Sequence, residues 1–422
     1  MGYQLTPDPK IDQLFKKGVK LPSPFTIDIG EEVDIDRISG KGVRIYPGCR
    51  IYGEKTVISS GVQLGAEGPV TLENCQLGPG VELKGGYFKN SVFLEKSSMG
   101  SGAHVREACL LEEQASGAHC VGLKHTILFP FVTLGSLINF CDCLMAGGTS
   151  RKDHSEVGSS FIHFNFTPDG DKATPSLIGD VPRGVMLNKP PIFLGGQGGL
   201  VGPLWVNFGN VTAAGAILRK DIEMENCLIV GRRHSPKILH RIPKAYPNLS
   251  KIVENNVRYI GNLIALEQWY RHVRKLFFRE QEYGTLIWEA VLDNLQRAKK
   301  ERFQRLKEMA NKVAEAIDLT APKGPEHQKA KQEFFEKGKD LEGLLDAEAT
   351  HRAGEEERDT FLDGLLKQKR EHGDHYLKVI QGLPTKISSV GTAWLDAIVL
   401  NTCLKAKRGL PALRLFKGIG ET

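Results

Sequence analysis

The chain has 422 residues, of which 41% are hydrophobic and 25% charged, with a formal net charge of +6 and a pI near 8.7. That length exceeds one ordinary core and fits roughly two or three domains. The basic excess is mild and holds no dense Lys/Arg block, which argues against a nucleic-acid partner.

Residues 1–26 read as an N-terminal extension; MGYQLTPDPKIDQLFKKG lacks the uninterrupted apolar core of a signal peptide. No window approaches about 18 apolar residues, so no membrane span is expected. Eight cysteines (Cys49, Cys75, Cys109, Cys120, Cys141, Cys143, Cys227, Cys403) are scattered without CxxC spacing. They predict reduced, packed thiols in a cytoplasmic protein, with Cys141 and Cys143 facing one side of a strand.

Glycine divides the chain: 33 of the 46 glycines precede residue 250. Within residues 27–247, segments such as GKGVRIYPGCRIYG, SSGVQLGAEGPVTLENCQLGPGVELKG, GSGAHV and ASGAHCVG repeat a small residue before Val, Ala or Cys about every six positions. A six-residue period suits a coil of three short flat strands, each sending one residue inward, with Gly at corners that Cβ would forbid. The expected architecture is a mainly β parallel β-helix (hexapeptide-repeat solenoid) of about ten or eleven coils, with degenerate coils at 86–98 and 123–135. A β-sandwich would alternate with period two instead.

Two insertions interrupt the repeat, near 146–156 (GGTSRKDHSEVG) and at 184–203 (GVMLNKPPIFLGGQGGLVGP). Loops of that size beside a site are often functional. Between them lies SSFIHFNFTPDGDKATPSLIGD, and after them GPLWVNFGNVTAAGAILRKD and ENCLIVGRR.

The hexapeptide pattern resembles the left-handed parallel β-helix acyltransferases, an exception to the right-handed crossover rule. Residues 155–233 are similar to the acetyltransferase domain of the bifunctional glucosamine-1-phosphate acetyltransferase and N-acetylglucosamine-1-phosphate uridyltransferase. The family's nucleotide-binding segment is not seen before the repeats, so nucleotidyl transfer is not expected. The resemblance implies acetyl-CoA as co-substrate, a sugar phosphate or nucleotide sugar as acceptor, a homotrimer, and no metal. It implies that Asn165 and Lys172 contact the sugar phosphate, that Ala213, with its neighbour Ala214, offers a backbone amide to acetyl-CoA, and that Arg232 meets the CoA phosphates. Lys and Arg suit phosphates.

Two positions depart from the family pattern. Phe166 stands where the family has Tyr, and Ile138-Asn139-Phe140 stands where it has Val-Asn-His, so the catalytic imidazole is missing. Acetyl transfer needs a base to take the ammonium proton, and fixed donors for the oxyanion. The insertion supplies Arg151, Lys152, Asp153 and His154. His154, oriented by Asp153, is the first candidate base. His163, expected on the same side of an extended segment as Asn165, is the second. His104, His119 and His125 recur at coil spacing, but the acidic and glutamine partners of a zinc site are not recognisable around them.

Residues 248–422 change to a Glu/Lys/Arg/Leu/Ala-rich helical pattern. A helix capped by Ser250 and running to about 284 is expected, then one broken by Pro322 and Pro325. Helices over 326–351, 355–381 and 386–406 follow, forming an α-helical domain used for packing or oligomerisation.

Overall fold

A computed structural model describes residues 9–231, 238, 243–315, 317 and 324–419. Helix α1 (Pro9–Lys17) buries Ile11 and Leu14 against the first coil, and Lys10 Nζ donates to the carbonyls of Gly30 and Val33, each at 2.8 Å. Beyond it the chain winds a left-handed parallel β-helix of about 11 turns over residues 28–229. Face one stacks ten strands from Asp28–Ile29 to Ile217–Leu218, and face two eight from Val57–Ile58 to Trp205–Val206. Face three stacks ten from Arg44–Ile45 to Leu228–Ile229.

Strand register explains the six-residue period. On face one Ile51, Leu72, Phe88, Val105, Leu123 and Phe140 succeed one another on adjacent coils, all fully or almost fully buried. Each strand is so short that one residue points in and its neighbour out. Gly86 shows why a corner needs glycine: its φ is +132°, and a Cβ there would lie 2.1 Å from the Ala103 carbonyl oxygen. On face three Gly117 takes an inward position because the Met99 methyl fills the space, 2.8 Å from where its Cβ would be. The coils expected to be degenerate keep regular register, with Phe88 and Phe93, and Leu123, Leu128 and Leu134, buried in the inward rows.

Excursions leave the coil at three places. An antiparallel hairpin, Gly148–Ser150 with Asp153–His154, accounts for the first insertion. Residues 165–175 form a loop between Ile162–Phe164 and Ser176–Ile178. The second insertion is shorter than the sequence suggested. Helix α2 (Val181–Gly184) and the residues up to 191 leave the coil, whereas Phe193–Leu194 and Gly199–Val201 are regular strands. The glycines between those strands are packing positions: a Cβ on Gly195 would lie 2.5 Å from the Ala213 backbone.

The helical region begins with α3 (Leu249–Trp269), which passes through a π-helical turn at Tyr270–Arg274 into α4 (Lys275–Phe278). After α5 (Gly284–Ala314) the expected helix over 326–351 divides into α6 (Pro325–Lys337), α7 (Leu341–Leu345) and α8 (Glu348–His351). Gly373 similarly separates α9 (Glu355–His372) from α10 (Tyr376–Gln381), and α11 is Thr385–Gly409. Asn248 rather than Ser250 precedes α3, and Ser250 Oγ instead donates to the Leu413 carbonyl at 2.7 Å. By length and composition α11 is apolar enough to cross a membrane, a property that window-by-window reading of the sequence missed. It buries Trp394, Leu395, Ile398, Cys403 and Ala406 within the bundle, packing on α3 and α9.

These helices cover face two. Helix α5 lies on Gln76–Leu77 and Val92–Phe93, and α3 on Ser176–Ile178. Buried polar links fix the seam: Arg302 Nη2 to Asp142 Oδ1 at 2.6 Å, Arg274 Nη1 to Glu113 Oε2 at 3.2 Å, and Asn294 Nδ2 to the Cys109 carbonyl at 3.2 Å. The helical region is therefore a cladding on the solenoid, and faces one and three remain open.

Candidate active site

Each corner of the coil carries a different part of the expected site. The hairpin with Arg151, Lys152, Asp153 and His154 lies between faces two and three. The loop with Asn165, Phe166 and Lys172 lies between faces one and two, and Ala213–Ala214 between faces three and one. One chain does not bring the three groups together.

On the hairpin, Arg151 folds back onto the coil, Nη1 donating to the carbonyls of Gln114 and Phe131 at 3.1 and 3.0 Å and to Thr133 Oγ1 at 2.9 Å. Lys152 is exposed. Asp153 does not orient His154; its Oδ2 accepts from Thr149 Oγ1 at 2.7 Å. The carboxylate nearest His154 is Glu156, with Oε2 3.9 Å from Nε2, and His154 Nδ1 is buried without a partner among the described residues. Glu156, the acid of the E-V-G coil, was legible as a strand residue but not as this partner. Because the strand turns straight out of the hairpin, a two-residue separation sets the two side chains on one side.

His163 is not beside Asn165. It occupies the inward row of face one, in register with Phe140 before it and Leu200 after it, and is 2% exposed. Its Nε2 is 2.9 Å from Ser176 Oγ, and burial pushes its pKa down to about 4. The one-residue alternation of a strand sends His163 in and Ile162 and Phe164 out, which the two-residue argument from Asn165 overlooked because the chain leaves the strand at residue 165.

The loop that follows is braced from the helical side. Asp171 accepts from Tyr246 Oη at 2.8 Å, from Thr167 Oγ1 at 3.2 Å and from the Ala173 amide at 3.1 Å; Asn256 Nδ2 donates to the Ala173 carbonyl at 3.0 Å. These anchors leave Asn165 half-buried, with Thr174 Oγ1 on its carbonyl at 3.1 Å, and leave Phe166 and Lys172 exposed. A cleft of about 270 Å³ opens between this loop, Gly202–Pro203 and Ala245–Asn248.

At the third corner the Ala213 amide is engaged in the ladder, donating to the Ile229 carbonyl at 2.9 Å. The exposed Ala214 carries the amide without a partner among the described residues, since Gly215 donates to the Gly196 carbonyl at 2.9 Å. The amide that can meet a ligand is thus one residue later than expected. Arg232 lies outside the described residues.

The histidines and cysteines considered above do not converge. His104 packs on Tyr87 with the rings tilted and their centroids 5.1 Å apart, His119 Nδ1 is 2.9 Å from Ser136 Oγ, and His125 sits at a corner beside α5. Cys141 and Cys143 are separated by the turn at Asp142 (φ +59°), so they lie on different faces. Among the described residues one acidic and imidazole group has metal-like spacing, Glu267, Asp346 and His351. Its centre is filled by the Lys299 ammonium, 2.7 Å from both carboxylates, which makes it a buried ion-pair cluster.

No protein-family model matches the chain. The bifunctional protein GlmU of Synechococcus elongatus is 27% identical over 205 residues, 49% of this chain and 40% of the relative. That of Thermotoga maritima is 26% identical over 214 residues, 50% and 42% respectively. The chain spans less than half the length of these curated relatives. Among solved structures, the UDP-N-acetylglucosamine acyltransferase from Campylobacter jejuni is 13% identical, covering 74% of this chain and 93% of its own, with a TM-score of 0.16. The polysialic acid O-acetyltransferase OatWY is 14% identical, covering 56% and 98%, also with a TM-score of 0.16. At such scores the fold assignment rests on the strand register itself, and the family resemblance on the sequence relatives.

Proposed function

We propose that this chain is an acyltransferase that moves an acetyl group from acetyl-CoA to the amine of an amino-sugar phosphate or nucleotide sugar. The observation that carries the reading is the sequence likeness to GlmU across about half the chain, together with a loop at a coil corner that exposes Phe166 and Lys172 beside Asn165.

In this reading the acceptor amine attacks the thioester carbonyl, its N–C bond forms as the C–S bond breaks, and CoA leaves as the thiol. His154 takes the amine proton at Nε2, Nδ1 being buried, and returns it to the departing sulfur, with the Glu156 carboxylate 3.9 Å away balancing the imidazolium charge. The Ala214 amide donates to the acetyl oxygen, Arg232 serves the CoA phosphates, and Asn165 and Lys172 hold the acceptor. Acetyl-CoA fits an open corner whose Ala214 amide is unspent; no metal is called upon.

Because the groups occupy three corners, the site is completed between copies of the chain. Faces one and three are free to associate, and both carry outward apolar rows near the end of the coil. Phe193, Val211 and Leu228 are register partners on face three, with Leu228 68% exposed, and Ile162 and Ile217 flank Gly199 on face one. Contiguous exposed apolar rows of this kind mark contact surfaces. A homotrimer is the assembly this reading requires, and static light scattering tests it.

One observation favours a rival, a sugar-nucleotide-binding scaffold without turnover. Phe140 is fully buried and meets Phe161 edge-on at 6.1 Å, so its position has become core. The test is acceptor-dependent CoA release from acetyl-CoA with glucosamine 1-phosphate and UDP-linked amino sugars. Ligand binding without release supports the scaffold.

A further inference from the structure

Beside the α5 seam, the corner between faces one and two holds a groove that acyl transfer does not use. Arg106 and Lys124 are register partners on consecutive coils, and Glu107, Ala108 and His125 turn the corner next to them. Helix α5 faces them with Arg297, Lys300, Glu301 and Gln304, a spacing that shares one helical face. Together these residues line about 520 Å³, a volume in the range of small-molecule sites.

The charges in this groove do not balance. Glu301 is already engaged, its Oε1 accepting from Arg305 Nε at 2.8 Å and lying 3.8 Å from Arg302 Nη2. Glu107 accepts from Asn90 Nδ2 at 3.4 Å. Arg106, Lys124, Arg297 and Lys300 are held in no salt bridge among the described residues, and the wall also contains His125 Nδ1, buried without a partner. Four cations against the carboxylates of Glu107 and Glu301 leave the concavity a formal charge of +2, which focuses a positive potential into it.

The geometry points to a diphosphate-binding groove at the seam between the solenoid and α5, gripped by Arg106 and Lys124 on one wall and Arg297 and Lys300 on the other. A single phosphoryl group is served by one pair of cations, whereas two pairs on opposed walls match two linked phosphoryl groups. The arginine forks supply direction and the lysines charge. Lys172 lies in the loop at the same corner of the solenoid, two coils along from Lys124. The diphosphate can come from a nucleoside diphosphate or from a 3′-phosphoadenosine diphosphate, and the groove's residues are distinct from those assigned to acyl transfer.

Calorimetric titration of the full chain with pyrophosphate tests the assignment. Arg297→Glu and Lys300→Glu replace exposed side chains of α5; each is expected to weaken binding at least about tenfold, whereas the distant Lys41→Glu changes it by less than about twofold. Competition by UDP against 3′-phosphoadenosine 5′-diphosphate then identifies the source of the diphosphate. Failure of pyrophosphate to bind, equal weakening by Lys41→Glu, or inorganic phosphate binding as tightly as pyrophosphate would overturn the proposal. CoA release, assayed separately, reads the acyl-transfer proposal, so the two can fail independently.

Discussion

His163 Nε2 lies 2.9 Å from Ser176 Oγ inside the coil, in a row otherwise filled by Phe140 and Leu200. A neutral imidazole is tolerated there and an imidazolium is not: burial lowers its pKa from 6.5 to about 4. Unfolding therefore takes up a proton between those values, and stability falls as the pH drops from 6.5 toward 4. The span corresponds to about 3 kcal/mol. His163→Leu should flatten this part of the stability curve in urea titrations at pH 7 and pH 4.5; an unchanged difference between the two pH values contradicts the buried neutral ring.

Glu112 runs the other way. Burial, with Glu113 alongside, raises its carboxyl to about 7 while Tyr270 Oη donates to it. A raised carboxyl contributes stability that is complete below about 4.5 and is lost as the pH climbs through 7. Glu112→Gln keeps the acceptor for Tyr270 and should therefore gain on the wild type between pH 5 and pH 8. Thermal melts across that range provide the comparison.

Arg302 and Asp142 tie the cladding to the coil. Asp142→Asn preserves the left-handed corner, since Asn tolerates φ +59°, but strips the charge opposite a buried guanidinium. Leaving that cation only the more distant Glu301, at 3.8 Å, should cost about 3 kcal/mol in urea unfolding. A loss below about 0.5 kcal/mol would mean that water reaches Arg302.

The open apolar rows bear on assembly. Val211→Asp places a charge in the middle of the Phe193–Val211–Leu228 row without touching the core. Light scattering should give three chains of 46.6 kDa for the wild type and a single chain for the variant. A wild type that is monomeric at micromolar concentration removes the shared-site arrangement.

The coil was legible because its period is a local property: Val, Leu and Ile recur inward every six residues whatever surrounds them. Even so, His163 was misplaced, since the point where a strand ends and a loop begins decides which side chain turns inward, and Phe164-Asn165 carries no mark of it. The Ala213 amide was assigned from motif position, whereas the ladder to Ile229 consumes it and frees Ala214. Helix existence was clear from the composition of 248–422, but α6, α7 and α8 part at Gly338 and Asp346, where Lys299 draws Asp346 inward across 47 residues. The cationic groove joins Arg106 to Arg297, and no sequence spacing announces a pairing made only by the cladding of face two.

Mass spectrometry of the acceptor after incubation with acetyl-CoA reads acetyl transfer itself. The amino-sugar phosphate or nucleotide sugar should gain one acetyl group, matched by an equal amount of free CoA. His154→Ala should slow the reaction on the order of 10²–10³-fold, and His163→Leu, once shown to be folded, should retain it. Unmodified acceptors throughout, with acetyl-CoA bound yet intact, would contradict it.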